Sequence, residues 1–323
     1  MQAYILRRML VMVPMLLGIS VVSFFVMQLA PGGPFTELQF NPEISSATLQ
    51  QLREHYGLHL PVWQQYLVWL KRIVTEGDLG RSIQFHAPVS HIIWGRAFNT
   101  VLLSVSSMIL AWGVALPIGI HAARHQHSWS DRLLTGLSFV GVSIPNFFLG
   151  LCLLYLVVTW QLPLPVGGAT SVNYEELSLW GKVVDRARHL VIPTLVLGTS
   201  SMAGLSRFMR GNLLEQLNQD YVTTARAKGL PERVVVYRHA VRNAINPLIT
   251  LFGFELGGIL GGAALTEIVT GYPGLGSVML QAVRAMDYYL VMGSLLIGGV
   301  LLIVGNLIAD ILLAWADPRI RYE

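Results

Sequence analysis

Long uncharged stretches alternate with short charged ones along this chain of 323 residues. Between consecutive charges lie Met9–Thr36, Ala97–Ala123, Leu133–Tyr174, His189–Ser206 and Tyr288–Ala309, and Asn243–Thr266 is interrupted only by Glu255. A helix crosses a bilayer with about 20 apolar residues, so the pattern predicts an all-α membrane protein with six transmembrane helices. The expected spans are 9–30, 97–121, 133–159, 189–206, 247–268 and 289–313, with 97–313 as the core. Segments 1–8, 31–96, 122–132, 160–188, 207–246, 269–288 and 314–323 lie outside the hydrocarbon. Leu133–Tyr174 exceeds a span because uncharged loop follows the helix, and Trp160-Gln-Leu-Pro-Leu-Pro marks its exit.

Two of the connecting segments read as folded. In 31–96, Ala47–Tyr56 is a helical stretch with Ser45 or Ser46 as N-cap, ending at Gly57. Pro61 opens a second helix in which Trp63, Tyr66, Leu67, Leu70 and Ile73 follow the helical period, ending near Gly77. In 207–246, Asp220 to Glu232 reads as two short helices hinged at Gly229. Asp220 suits an N-cap, Lys228 the negative end of the first helix, and Gly229 its C′ position. Pro231 suits the first position of the second helix, and Glu232 its positive end. Such an ordered polar knob offers a soluble partner Tyr221, Thr224, Arg226 and Lys228 as contacts.

Composition agrees with a membrane protein, at 53% hydrophobic and 12% charged residues. The net charge of +4 reflects membrane orientation rather than nucleic-acid binding. Thirteen basic residues fall in 1–8, 122–132, 207–246 and 314–323, against nine in the segments of opposite side. The positive-inside rule then places both termini and the Gly229 loop in the cytoplasm and the 31–96 loop outside. Cys152 is alone, so no intramolecular disulfide forms. The first span lacks a short apolar region followed by a small-residue cleavage site and reads as an uncleaved anchor.

Motifs for chemistry are missing. The chain has no Walker loop, no H-E-x-x-H, no cysteine pair for a metal and no G-x-S-x-G elbow. Span five carries Gly253, Gly257 and Gly261 at intervals of four, with Gly258 beside them, and a nearly bare helix face results. That face is either a close-packing seam or a sliding surface along a pathway. Glu255 sits in the same helix and must meet protein, water or a cation. It either lines a translocation route or pairs within the bundle; Asp310 and Glu267 read as structural. Pro145, inside the third span, kinks it or frees a carbonyl, either as a gate or as a tolerated irregularity.

Further motifs carry a resemblance. They are Tyr4-Ile-Leu-Arg-Arg8, Gly57-Leu-His-Leu-Pro-Val-Trp-Gln-Gln-Tyr66, Gly77-Asp-Leu-Gly-Arg-Ser82 and Ser143-Ile-Pro-Asn-Phe147. Downstream come Asp220-Tyr-Val-Thr-Thr-Ala-Arg-Ala-Lys-Gly229, Arg242-Asn-Ala244, Tyr272-Pro-Gly-Leu-Gly276 and Asp317-Pro-Arg-Ile-Arg321. Together they make the whole chain resemble the membrane-spanning permease subunits of dipeptide/oligopeptide ABC importers, of the type with the longer first periplasmic loop. The resemblance implies a multi-pass protein of the bacterial inner membrane, paired with a second homologous permease subunit. It implies two cytoplasmic ABC ATPase subunits, which use ATP and Mg while this chain binds no cofactor or metal, and an extracytoplasmic substrate-binding protein. The coupling loop would comprise Asp220, Tyr221, Thr223, Thr224, Ala225, Arg226, Ala227, Lys228 and Gly229. Against the wider Glu-Ala-Ala-x3-Gly pattern, Thr223 and Thr224 replace the first two residues while Ala225 and Gly229 match. Related permeases carry nickel, glutathione or oligosaccharides. An ion-coupled secondary transporter using Glu255 and an intramembrane hydrolase are the rival classes.

Overall fold

Helices follow one another along almost the entire chain. The structure, a computed structural model, describes residues 2–29, 31–39 and 45–316. In order these form α1 (Gln2–Leu29), α2 (Thr36–Gln39), α3 (Ser46–His55), α4 (Val62–Glu76), α5 (Val89–Arg124), α6 (Trp129–Ser143) and α7 (Asn146–Thr159). Next come α8 (Leu179–Leu217), α9 (Asp220–Ala227), α10 (Glu232–Val234), a π-helical turn (Val235–Ala240), α11 (Val241–Ala244), α12 (Asn246–Val269), α13 (Leu275–Arg284) and α14 (Tyr288–Ala316). No extended strand occurs among the described residues; β pairing there is an isolated bridge between Arg81 and Pro88.

Among the described residues four helices are long and apolar enough to cross a membrane: Met9–Leu29 within α1, α5, α8, and Tyr288–Ile308 within α14. The third expected span is not one helix. It breaks between α6 and α7, which diverge by 101°. Pro145 causes this, since it has no N–H for a helical bond and forces Ile144 to extended backbone (φ −83°, ψ 119°). The pair counts as a fifth span only if the bent unit is taken together. The 24 residues of α12 reach about 36 Å, enough for a crossing, although the side chains of 253–262 lie outside the described residues. At 36 and 39 residues, α5 and α8 exceed the roughly 30 Å of hydrocarbon, so the helical backbone continues into the adjoining polar segments.

The chain divides into two compact units, Met1–Asn99 with Gly274–Ile303 and Thr100–Pro273 with Val304–Glu323. In the first, α4 packs on α1 through Phe24, Tyr66 and Trp69, joined by Met292. Trp63 and Leu67, expected on that same packed face, are instead 58% and 52% exposed, whereas Trp69 is buried. Apolar residues fill about half the circumference of the 15-residue helix, and the edge of that arc carrying Tyr66 and Trp69 turns inward while the edge carrying Trp63 and Leu67 does not. The indole N–H of Trp69 donates to the Leu79 carbonyl at 3.1 Å and pins the turn after α4. Within that turn Gly80 has φ +95°, and a Cβ there would lie 2.8 Å from the Tyr289 ring. Buried Asp287 then accepts from the Ser82 hydroxyl (2.6 Å) and the Gln84 N–H (3.0 Å), fixing the loop to the start of α14.

In the second unit α8 is the common support, packed by α6, α7 and α12. Buried Leu103, Leu190, Ala263 and Tyr272 form one core cluster, and Val157, Ile192 and Val196 another. Glu267 is fully buried and accepts from the Thr100 hydroxyl at 2.6 Å, which fits its structural reading.

Candidate functional site

A helix of eight residues does not hold its shape in isolation, so α9 depends on what anchors it. Val222 and Ala225, one helical turn apart, are buried at 0% and 6% exposure. They enter a cluster with Leu205, Met209 and Leu213 of α8, Val235, Val236 and Ala240 of the π turn, and Leu248 of α12. The same spacing turns Tyr221, Thr223, Thr224, Arg226, Ala227 and Lys228 outward, all of them exposed. The knob thus has a closed inner face and an open polar outer face. Ala225, a residue of the expected coupling loop, lies on the buried inner face.

The elbow is built by backbone. Gly229 has φ +74°, its N–H donates to the Arg226 carbonyl (2.9 Å), and the Leu230 N–H reaches the Ala225 carbonyl (3.4 Å). This is the double bond pattern of a Schellman motif, with glycine at the left-handed C′ position. Two sequence expectations need correcting here. Gln219, not Asp220, occupies the N-cap; Asp220 is the first helical residue and places its carboxylate in the first turn. Pro231 is likewise the N-cap of α10 rather than its first residue. Beyond Pro231 the chain forms no second regular helix but three α residues, a six-residue π turn and α11. Two of the three residues buried in the π turn are Val235 and Val236, adjacent in sequence, which a wider helical turn allows.

Charges brace the elbow. The Arg226 guanidinium donates from Nη2 to Glu232 Oε1 at 2.8 Å and from Nε to Oε2 at 3.2 Å, bridging Gly229 from both sides. That hydrogen bonding holds the Glu232 carboxyl below the usual carboxylate range, and Arg124 lowers it further. Arg124, at the end of α5, donates to the Tyr237 hydroxyl at 3.3 Å and lies 5.5 Å from the centre of its ring. Tyr221 donates to Gln216 Oε1 at 2.8 Å, tying the front of α9 to the last turn of α8.

A second brace was not foreseen. Asp131, 3% exposed, receives Arg210 in a two-pronged pair, Nε to Oδ1 at 2.7 Å and Nη2 to Oδ2 at 2.8 Å. It joins the start of α6 to α8 about two turns before the end of α8. The signal was present as Ser128-Trp-Ser-Asp131, a capping pattern realised by the Ser128 hydroxyl accepting from the Asp131 N–H at 3.2 Å.

The pathway candidates fare differently. The side chain of Glu255, and Gly253, Gly257, Gly258 and Gly261 on the same face, lie outside the described residues, as does Asp317–Arg321. Pro145 is exposed at the α6–α7 break. Among the described residues no group of three His, Cys, Asp or Glu side chains could hold a metal.

Two protein families match successive parts of the chain. The family described as binding-protein-dependent transport system inner membrane component matches residues 115–322. Its companion N-terminal family matches residues 1–111. The oligopeptide transport system permease protein AppB of Bacillus subtilis is 44% identical over 323 residues, covering 100% of both chains. The dipeptide transport system permease protein DppB of Escherichia coli is 36% identical over 337 residues, covering 99% of each. A di/tripeptide transport system permease protein of Pseudomonas aeruginosa is 34% identical over 340 residues, covering 100% of each.

Proposed function

Because the chain belongs to the family of binding-protein-dependent transport system inner membrane components, we propose that it is the permease subunit of an ATP-driven importer of di- and oligopeptides. It forms half of the translocation route across the bacterial cytoplasmic membrane, beside a second homologous permease. Two cytoplasmic ATPase subunits use ATP and Mg, and an extracytoplasmic substrate-binding protein delivers the cargo. The full-length identity to permeases named for oligopeptide and dipeptide transport supports the cargo. As a member of this family the chain is a transport component and not an enzyme.

In this reading six spans cross the membrane, both termini and 207–246 are cytoplasmic, and 31–96, 160–188 and 269–288 face outward. The distribution of basic residues supports that orientation. The observation that carries the mechanism is the anchored α9 with its open outer face. Only Asn218 and Gln219 separate α8 from α9, and Lys228, Gly229, Leu230 and Pro231 separate α9 from α10. A displacement imposed on α9 by a closing ATPase pair therefore passes to the end of α8, and through the π turn and α11 to α12. Those helices tilt as rigid bodies and alternate access. Glu255, Gly253, Gly257, Gly258 and Gly261 then belong to the route or to its subunit seam.

The test is uptake of a labelled tripeptide into proteoliposomes holding the permease pair, the ATPases and the binding protein. Uptake should require ATP and fail in the Arg226→Glu/Gly229→Pro double variant at normal assembly. Uptake that follows a proton gradient without ATP overturns the reading.

A further inference from the structure

The first unit contains a cavity of about 170 Å³ whose polar walls are Gln28, Gln39, Arg53, Gln65 and Tyr288. Phe35 and Leu58 supply its apolar side. The volume corresponds to about five waters, or to the last residue of a short peptide. Five elements build it: the end of α1, α2, α3, α4 and the first residue of α14.

The donors in the wall are unequally committed. Gln65 is held in place, its Nε2 donating to the Leu60 carbonyl at 2.8 Å, and Gln28 reaches its Oε1 at 3.4 Å. Arg53 is exposed at the rim, and among the described residues no carboxylate pairs with it. Tyr288 is 8% exposed, and no described group hydrogen-bonds its hydroxyl. The Tyr288 hydroxyl stays accessible at the cavity wall and can donate to an occupant. The Arg53 guanidinium at the rim of the same cavity presents a fork shaped for two oxygens. A cationic or apolar occupant would use neither donor. A carboxylate can accept from both, with its substituent against Phe35 and Leu58.

We propose that this cavity binds the free α-carboxylate of a short peptide. The proposal rests on the peptide-importer reading, in which segment 31–96 faces the side from which peptide arrives. It adds a ligand contact on this chain, distinct from α9 and from α12.

The full chain in lipid nanodiscs is titrated by calorimetry with trialanine, trialanine amide and inorganic phosphate. Trialanine should bind, and the amide, lacking the carboxylate charge, should bind at least about tenfold more weakly. Arg53→Gln should reproduce that loss for trialanine, Arg53→Lys should fall between, and Tyr288→Phe should cost about threefold. Equal binding of acid and amide overturns the proposal, as does absence of trialanine binding. Phosphate binding as tight as trialanine shows a general anion site and overturns the peptide assignment. The acid–amide comparison on the unaltered chain decides even if a variant fails to fold. ATP-driven peptide uptake that persists while acid and amide bind alike removes this inference and leaves the importer reading standing.

Discussion

Substitution at Gly229 separates backbone conformation from packing at the elbow. Its φ is +74°, and a Cβ added there would meet nothing within 4 Å. Alanine therefore brings only the left-handed penalty, roughly 1–2 kcal/mol, and β-branched valine sits at the upper end or beyond. Asparagine tolerates the region and should cost much less, although it is larger than alanine. These figures compare with what holds α9 in register. Full burial of the Val222 side chain contributes about 1.5–3 kcal/mol, and each Schellman hydrogen bond about 1 kcal/mol net. Strain of similar size lets the elbow yield. Since 1.4 kcal/mol is about tenfold, affinity for the ATPase subunit should fall about fivefold in Gly229→Ala and roughly 10–30-fold in Gly229→Val. Gly229→Asn should stay within about threefold of the parent. The assay is binding of the purified ATPase to the chain in nanodiscs, with uptake measured in parallel. Equal affinities across the three variants would refute the reasoning, and so would a loss ordered by side-chain volume.

Gly80→Ala should be more damaging to the fold than Gly229→Ala, because its Cβ adds a 2.8 Å approach to the Tyr289 ring to the same backbone strain; comparison of melting temperatures in detergent checks this. Asp131→Asn leaves Arg210 without its carboxylate. Breaking a fully buried pair costs about 3–5 kcal/mol, and since the Arg210 side chain is 25% exposed the loss should lie near or below 3. A double-mutant cycle with Arg210→Gln should return a coupling of at least about 1 kcal/mol, and a coupling near zero would deny the brace. The Arg226–Glu232 pair is 43% and 56% exposed and should contribute no more than about 0.5 kcal/mol. Glu232 has its folded value depressed. Its contribution is therefore present above the unfolded carboxylate value and disappears as pH falls through the lower folded one. Melting of Glu232→Gln and parent should differ slightly and constantly from pH 8 to 6 and converge below about pH 4. A gap that widens on acidification would contradict the assignment.

Much of this architecture is legible in the residues. Uncharged windows located the apolar helices because the hydrocarbon admits few charges, and the Gly229 elbow was readable because only glycine takes that backbone at low cost. The Ser45 cap and the stop of α4 at Gly77 follow from the same local chemistry. Where tertiary packing decides, the pattern fell short. The inward side of α4 is chosen by Phe24 and Met292, which are remote in sequence. A proline inside an apolar run announces a break but not the 101° between α6 and α7. The π turn after Pro231 leaves no periodic signature over six residues. The site shows the same limit: its outer face was readable as a polar helix, whereas Val222 as anchor and Asp131–Arg210 as brace emerge only from contacts 79 residues apart or with other helices.

The most direct test places a single cysteine at Thr224, on the open face of α9, after Cys152 is replaced by serine. A short bifunctional cross-linker is then applied to the assembled transporter. The account predicts a covalent adduct with an ATPase subunit whose yield changes when ATP is trapped with vanadate. Adducts with lipid alone, in a preparation that imports peptide at full rate, would contradict it.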